Sequence, residues 1–165
     1  MMNRSERVLV LGIGNTLFTD DGFGILAVQA AEALWEGPDG VDFSVAMAGG
    51  LELMDLLAGY GAALVVDAAV TGHAAPGELY LLNVQGLAAA GAGGAHGAHL
   101  GTALETARRL GITMPARLKV LAAEAQNIYS FGEQPTAAVA AAIGPAAVLI
   151  GKLARSLLQG VSVGA

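Results

Sequence analysis

The segment from Val8 to Gly24, VLVLGIGNTLFTDDGFG, constrains this chain more than any other. Val8 to Leu11 is a β-branched and leucine run suited to a central parallel strand, and Ile25 to Trp35 has apolar residues at helical spacing. Between them lie Gly12, Gly14 and the adjacent carboxylates Asp20 and Asp21. A buried strand that ends in a glycine turn brings the polar residues after it to the rim of a sheet, where α/β proteins place their ligands. The order strand, turn, helix predicts an α/β fold with its chemistry near Asp20 and Asp21.

The alternation continues along the chain. Val41 to Val45 reads as a second strand, Gly49 and Gly50 as the turn after it, and Leu51 to Leu57 as a short helix. Ala63 to Val66 is a third buried strand that ends in Asp67. Pro76 and Gly77 then supply turn chemistry before a strand at Glu78 to Leu82, whose short return predicts an antiparallel or edge position. Gln85 to Ala98 is a low-complexity glycine and alanine stretch, expected as a mobile loop, with His96 and His99 at its end. Leu100 to Leu110 is helical, with Arg108 and Arg109 favouring the C-terminal dipole and Gly111 as cap. Leu118 to Ala122 is a further strand. Thr136 is placed to cap a long alanine-rich helix running towards Leu158, with Gly144 and Pro145 expected to kink it. No internal repeat is present, and 165 residues, 55% of them hydrophobic, predict a single domain over 1–165.

Several function classes fall away. A net charge of -6 with only eight scattered lysines and arginines disfavours nucleic acid. Without cysteine there is no disulfide, thiolate nucleophile or cysteine metal site, so any metal must be held by His, Asp or Glu. Arg4 and Arg7 precede a short apolar run with no small-residue cleavage site, which reads as a cytoplasmic protein. No stretch is expected to span a bilayer, Thr136 to Ile150 coming closest. Gly12-Ile-Gly14 is not a dinucleotide fingerprint, because the third glycine would fall at Leu17, and no Gly-Lys-Ser/Thr follows for a P-loop. Ser44, Ser130 and Ser156 stand outside any G-x-S-x-G motif.

The remaining candidates each have a bland reading and a functional one. Asp67 either caps a turn or serves a site. Asp20 and Asp21 both suit a helix start, yet adjacent residues cannot both face one site, so one caps and the other is left for function. His73 reads as a solvated turn residue. His96 and His99, three apart, either share a helix face and bind metal or are exposed loop residues. Leu17 and Phe18 divide between core and docking face. Together, a carboxylate after strand one, another after strand three and a following histidine can form an open site for a divalent cation.

GIGNTLFTDDGFG, the glycine pair in AGGLELMDLL, LVVDAAVTG, PGELYLL and HGAHLGTALETARRLG resemble, in order, the hydrogenase maturation protease family, endopeptidases that trim the C-terminus of the [NiFe]-hydrogenase large subunit. The resemblance runs to about Pro135 and the closing helix. It implies a three-layer α/β/α sandwich around a twisted, mostly parallel five-stranded sheet of the phosphorylase/hydrolase-like kind. It also implies an aspartic-type endopeptidase with a metal set of Asp21, Asp67 and His96, leaving Asp20 as the cap. His96 fits better than His99 because the family's leucines and basic residue then fall on Leu100, Leu104 and Arg108. By the resemblance, the metal is nickel already held by the precursor, or another divalent cation. Asp21 and Asp67 are the implied catalytic residues, and Gly49 and Gly50 accept the extended peptide at close approach. The implied partner is the large-subunit precursor, met by a monomer, with no nucleic acid or membrane. One departure stands out: the family's Asp, Gly, Gly, Thr is Ala48, Gly49, Gly50, Leu51 here, so an expected carboxylate is missing. That substitution supports an alternative, a non-catalytic α/β binding or chaperone-like module that recognises the nickel-loaded precursor.

Overall fold

The computed structural model describes residues 2–47, 49–82, 84 and 95–163. Among the described residues, five strands and four α-helices follow in the order β1 (Val8–Ile13), α1 (Phe23–Ala33), β2 (Val41–Ala46), α2 (Leu51–Leu57), β3 (Ala62–Ala69), β4 (Leu79–Leu82), α3 (Ala95–Leu110), β5 (Arg117–Glu124) and α4 (Ala137–Val163). The strands form one sheet in the order β2-β1-β3-β5-β4. Every pairing is parallel except β4 with β5, so the short return after Gly77 does produce an antiparallel edge strand.

Both faces of the sheet are covered, which is why β1 and β3 read as unbroken apolar runs and are buried throughout. Side chains alternate between two cores. Val8, Val10, Leu64 and Val66 face α1 and α4, whereas Leu9, Leu11, Ala63 and Val65 face α2 and α3. This is the expected three-layer α/β/α sandwich.

Helix α1 sits so close to β1 that only glycine fits at the crossing. A Cβ on Gly12 would meet the Gly24 carbonyl, and one on Gly24 would meet the carbonyl oxygens of Ile13 and Val66. The start of α1 is thereby lodged against the ends of two neighbouring strands.

One difference from expectation has a plain cause. Strand β3 does not end before Asp67 but continues to Ala69, because β5 stays paired to it after β1 has stopped at Gly12 and Val66. Helix α4 runs through Gly144 and Pro145, as expected of a helix reaching towards Leu158: Gly144 has no Cβ to meet the proline ring, and Pro145 is carried inside the helix. At that length, contrary to the sequence expectation, α4 is apolar and long enough to cross a membrane by composition. Its Val139, Ala142, Ala146, Ile150, Ala154 and Leu157 recur on one face and are buried in the α1 core, the pattern of a packed helix. The glycine and alanine stretch is outside the described residues from 85 to 94, and from Ala95 it is helix rather than loop.

Candidate active site

The C-terminal end of β1 and the neighbouring stretch of β3 form the corner that carries the two candidate acids, Asp21 in the turn after β1 and Asp67 one residue past the last pairing of the two strands. After Ile13 the chain turns at Gly14, at φ +150, whose open α-carbon lies against the Asp21 carbonyl. Asn15 N–H donates to that carbonyl at 3.2 Å, closing a tight loop that ends in a 3-10 turn, Thr19–Gly22. Asp21 is half-buried at its rim. Asp67 adjoins Val66, whose carbonyl touches Gly24, so the contact of Gly24 with both strand ends sets Asp21 and Asp67 in one corner.

Asp67 is 4% exposed, and its Oδ1 accepts from its neighbour Ala68 N–H at 2.8 Å. By strand alternation it follows Ala63 and Val65 onto the α2 and α3 side of the sheet. That is the side on which the histidines arrive. His96 lies in the first turn of α3, with its side chain outside the described residues. His99 is exposed and its imidazole covers Gly49, where a Cβ would stand 2.5 Å from Nδ1. Gly50 follows at φ +57 with open space beside its α-carbon. The glycine pair and the start of α3 therefore share one edge of the corner. Ala48 lies outside the described residues. Among the described residues, no three His, Cys, Asp or Glu side chains gather as a metal cluster.

Asp20 and Asp21 divide as adjacency requires, but Asp20 does not cap the helix that follows it. It is wholly buried and faces away from α1, toward segments far along the chain. Its Oδ2 accepts from Gln126 N–H and Asn127 N–H, both at 2.9 Å, and its Oδ1 from Thr136 N–H at 2.6 Å and the Thr136 hydroxyl at 2.9 Å. One carboxylate thus binds the loop after β5 and the residue before α4 to the turn carrying Asp21.

A third buried carboxylate, Glu124 at the end of β5, passes unnoticed in the sequence. It accepts from Thr71 and Gly72 N–H, the Thr71 hydroxyl and the Tyr80 hydroxyl at 2.7–2.8 Å. Burial raises its pKa, but the bonds from Tyr80, Gly72 and Thr71 outweigh that and hold it below the ordinary value. Burial, with the bond to Glu124 second, pushes the Tyr80 hydroxyl up to about 12. The clamp fixes the loop after β3, where His73 is exposed in a hydrogen-bonded turn, as the sequence reading has it. An isolated acid in the run LAAEA was the only signal for it.

Leu17 and Phe18 also divide. Leu17 is 52% exposed, whereas Phe18 is half-buried and stacks on Phe131 at 4.7 Å. On the other flank a cavity of about 470 Å³ opens between α1 and the end of β2, lined by Thr16, Ile25, Gln29, Val45, Ala46 and Met47.

Residues of the chain match HupD of Rhodobacter capsulatus, a hydrogenase expression/formation protein, at 30% identity over 143 residues, 85% of this chain and 67% of that one. The solved hydrogenase maturating endopeptidase HybD from Escherichia coli superposes with a TM-score of 0.80 at 28% identity, covering 91% of this chain and 93% of that one. The chain belongs to the hydrogenase maturation protease family. The [NiFe] hydrogenase maturation protease HybD from Thermococcus kodakarensis shares the family fold at a TM-score of 0.66 and 26% identity, over 90% and 99% of the two chains. The Escherichia coli hydrogenase 2 maturation protease is 37% identical over 76 residues, and that match spans 46% of its length, under half of the relative. No family model matches the chain.

Proposed function

We propose that this protein is an endopeptidase that removes the C-terminal peptide of a nickel-loaded [NiFe]-hydrogenase large-subunit precursor. The observation that carries the reading is the corner itself: Asp21 and Asp67 flank the ends of β1 and β3, fixed there by Gly24 against both strands, in a chain whose fold matches the maturation endopeptidases.

In this reading the nickel arrives with the substrate. Asp21, Asp67 and His96 complete its coordination and so hold the adjoining tail in place, a proximity effect. A water polarised there would attack the scissile carbonyl carbon, Asp67 taking its proton and passing it to the leaving amine nitrogen as the C–N bond breaks, and the buried position of Asp67 limits competing solvent. The extended tail passes Gly50, where the open space beside its α-carbon leaves room for a backbone, while the His99 imidazole over Gly49 borders that path. The cavity beside Ile25, Val45 and Met47 offers an apolar wall to a side chain of that tail.

The test is the mass of a nickel-loaded precursor before and after mixing with the protein. Loss of a defined C-terminal peptide, abolished by His96→Ala, is expected. A stable complex of unchanged mass would favour the non-catalytic binder that Ala48 suggests, and processing at full rate by His96→Ala would remove His96 from the site.

A further inference from the structure

The positive charges of this chain are sorted along the strand direction, several of them paired with acids such as Asp42 and Glu105. Arg4 and Arg7 precede β1, Arg117 and Lys119 open β5, and Arg108 and Arg109 close α3. Lys152 and Arg155 lie in the second half of α4, where Arg155 stands over Trp35 and the Leu157 carbonyl accepts from Arg117 at 2.6 Å. These are all eight of the lysines and arginines, and they share the N-terminal end of the sheet. The C-terminal end, around the candidate site, has Asp20, Asp21, Asp67, Glu78, Glu124 and Glu133 and no lysine or arginine.

That acidic end also carries an exposed apolar patch. Tyr129 and Phe131 are each 80% exposed beside Leu17 at 52%. Their loop is tightly held: Asn127 Oδ1 accepts from Tyr129 and Ser130 N–H at 3.0 and 3.1 Å, and Gly132 exchanges hydrogen bonds with Leu17 and Thr19 at 2.9 and 2.8 Å. The exposed Glu133 stands two residues beyond Phe131. Rings held out rigidly lose little entropy when covered, and aromatic faces in a negative field attract guanidinium and ammonium groups.

We propose that Leu17, Tyr129 and Phe131 form a docking surface for a protein partner whose apolar contact area is rimmed by arginine or lysine. Charge complementarity selects that occupant, since the same field repels nucleic acid and anionic lipid. The inference rests on the function proposed above, which makes the partner the body of the hydrogenase precursor. Asp20 binds the loop carrying these rings to the turn carrying Asp21, so docking and cutting are held in register.

The experiment measures kcat and KM for the nickel-loaded precursor with wild type, the Tyr129→Ser/Phe131→Ser double variant and Glu133→Lys. The double variant is expected to raise KM about tenfold or more with kcat within about twofold. Glu133→Lys should raise KM roughly threefold at low salt, the difference closing near about 0.5 M salt. If the double variant fails to fold by circular dichroism, the exposed Glu133→Lys carries the test alone. Wild-type processing with unchanged KM in the folded variants overturns the docking surface and leaves the function standing, as does a fall in kcat alone. A precursor left uncut by the wild type removes the function and this proposal with it.

Discussion

Replacing Asp20 with asparagine changes one oxygen to an NH2 group and should cost far more than its near-identical shape suggests. The carboxylate serves two pairs of donors, Gln126 and Asn127 N–H on one oxygen, Thr136 N–H and hydroxyl on the other. Asparagine accepts through one oxygen only, so whichever way the amide turns, at least one backbone N–H faces another donor. An orphaned buried donor costs about 1–3 kcal/mol, and the surviving bonds weaken by roughly 1 kcal/mol on losing their carboxylate acceptor, for a total of about 3 kcal/mol. In a domain of this size that lowers Tm by roughly 6–12 °C. Thr136→Ala, which removes a hydroxyl but keeps the N–H, should cost at most about 1.5 kcal/mol. Both are read by thermal unfolding followed by circular dichroism. A drop below about 2 °C for Asp20→Asn would show that the loop and α4 are held by something else, and would refute the clamp.

Three other outcomes are expected. Asp67→Asn keeps the side-chain shape but removes the proposed base, so precursor processing should fall by about 10²-fold or more, measured by mass spectrometry; near-normal processing assigns the base elsewhere. Gly24→Ala would drive a Cβ into the backbone carbonyls of Ile13 and Val66, which no rotamer change can move aside, and should destabilise by about 3 kcal/mol or more in urea unfolding; a wild-type midpoint contradicts the close approach. The Tyr80 proton leaves the unfolded chain near 10.0 but is kept in the fold up to about 12. Its stabilisation is therefore full below the unfolded value and lost as pH climbs through that window. Tyr80→Phe should flatten this alkaline decline, and equal slopes for both proteins would refute it.

What the sequence could disclose was local. Apolar runs at Val8 to Leu11 and Ala63 to Val66 located the central strands because both faces of a parallel sheet are covered. The extension of β3 through Asp67 to Ala69 was illegible, since it depends on how much longer β5 is than β1. Asp20 was read as a cap, correctly in chemistry and wrongly in address: its partners lie 106 to 116 residues away, where no local pattern reaches. Glu124 was missed for the same reason, its donors being 44 to 53 residues distant. Asp21, Gly49 and Gly50 sit in turns after strands, and Asp67 follows a buried apolar run, so local pattern marks these positions while the scaffolding around them stays hidden.

The contact between Gly12 and Gly24 has a bearing on how such a protein can diverge. Where backbone meets backbone, the floor of the corner has no side chains to exchange, so drift there has almost no tolerated substitutions to explore. Adaptation to a different precursor is left to the parts standing above that floor: Leu17, the residues around Gly49 and Gly50, and the loop of Tyr129 and Phe131. Chemistry and partner choice are thereby inherited on separate pieces of the same chain, one frozen by proximity and the other open to change.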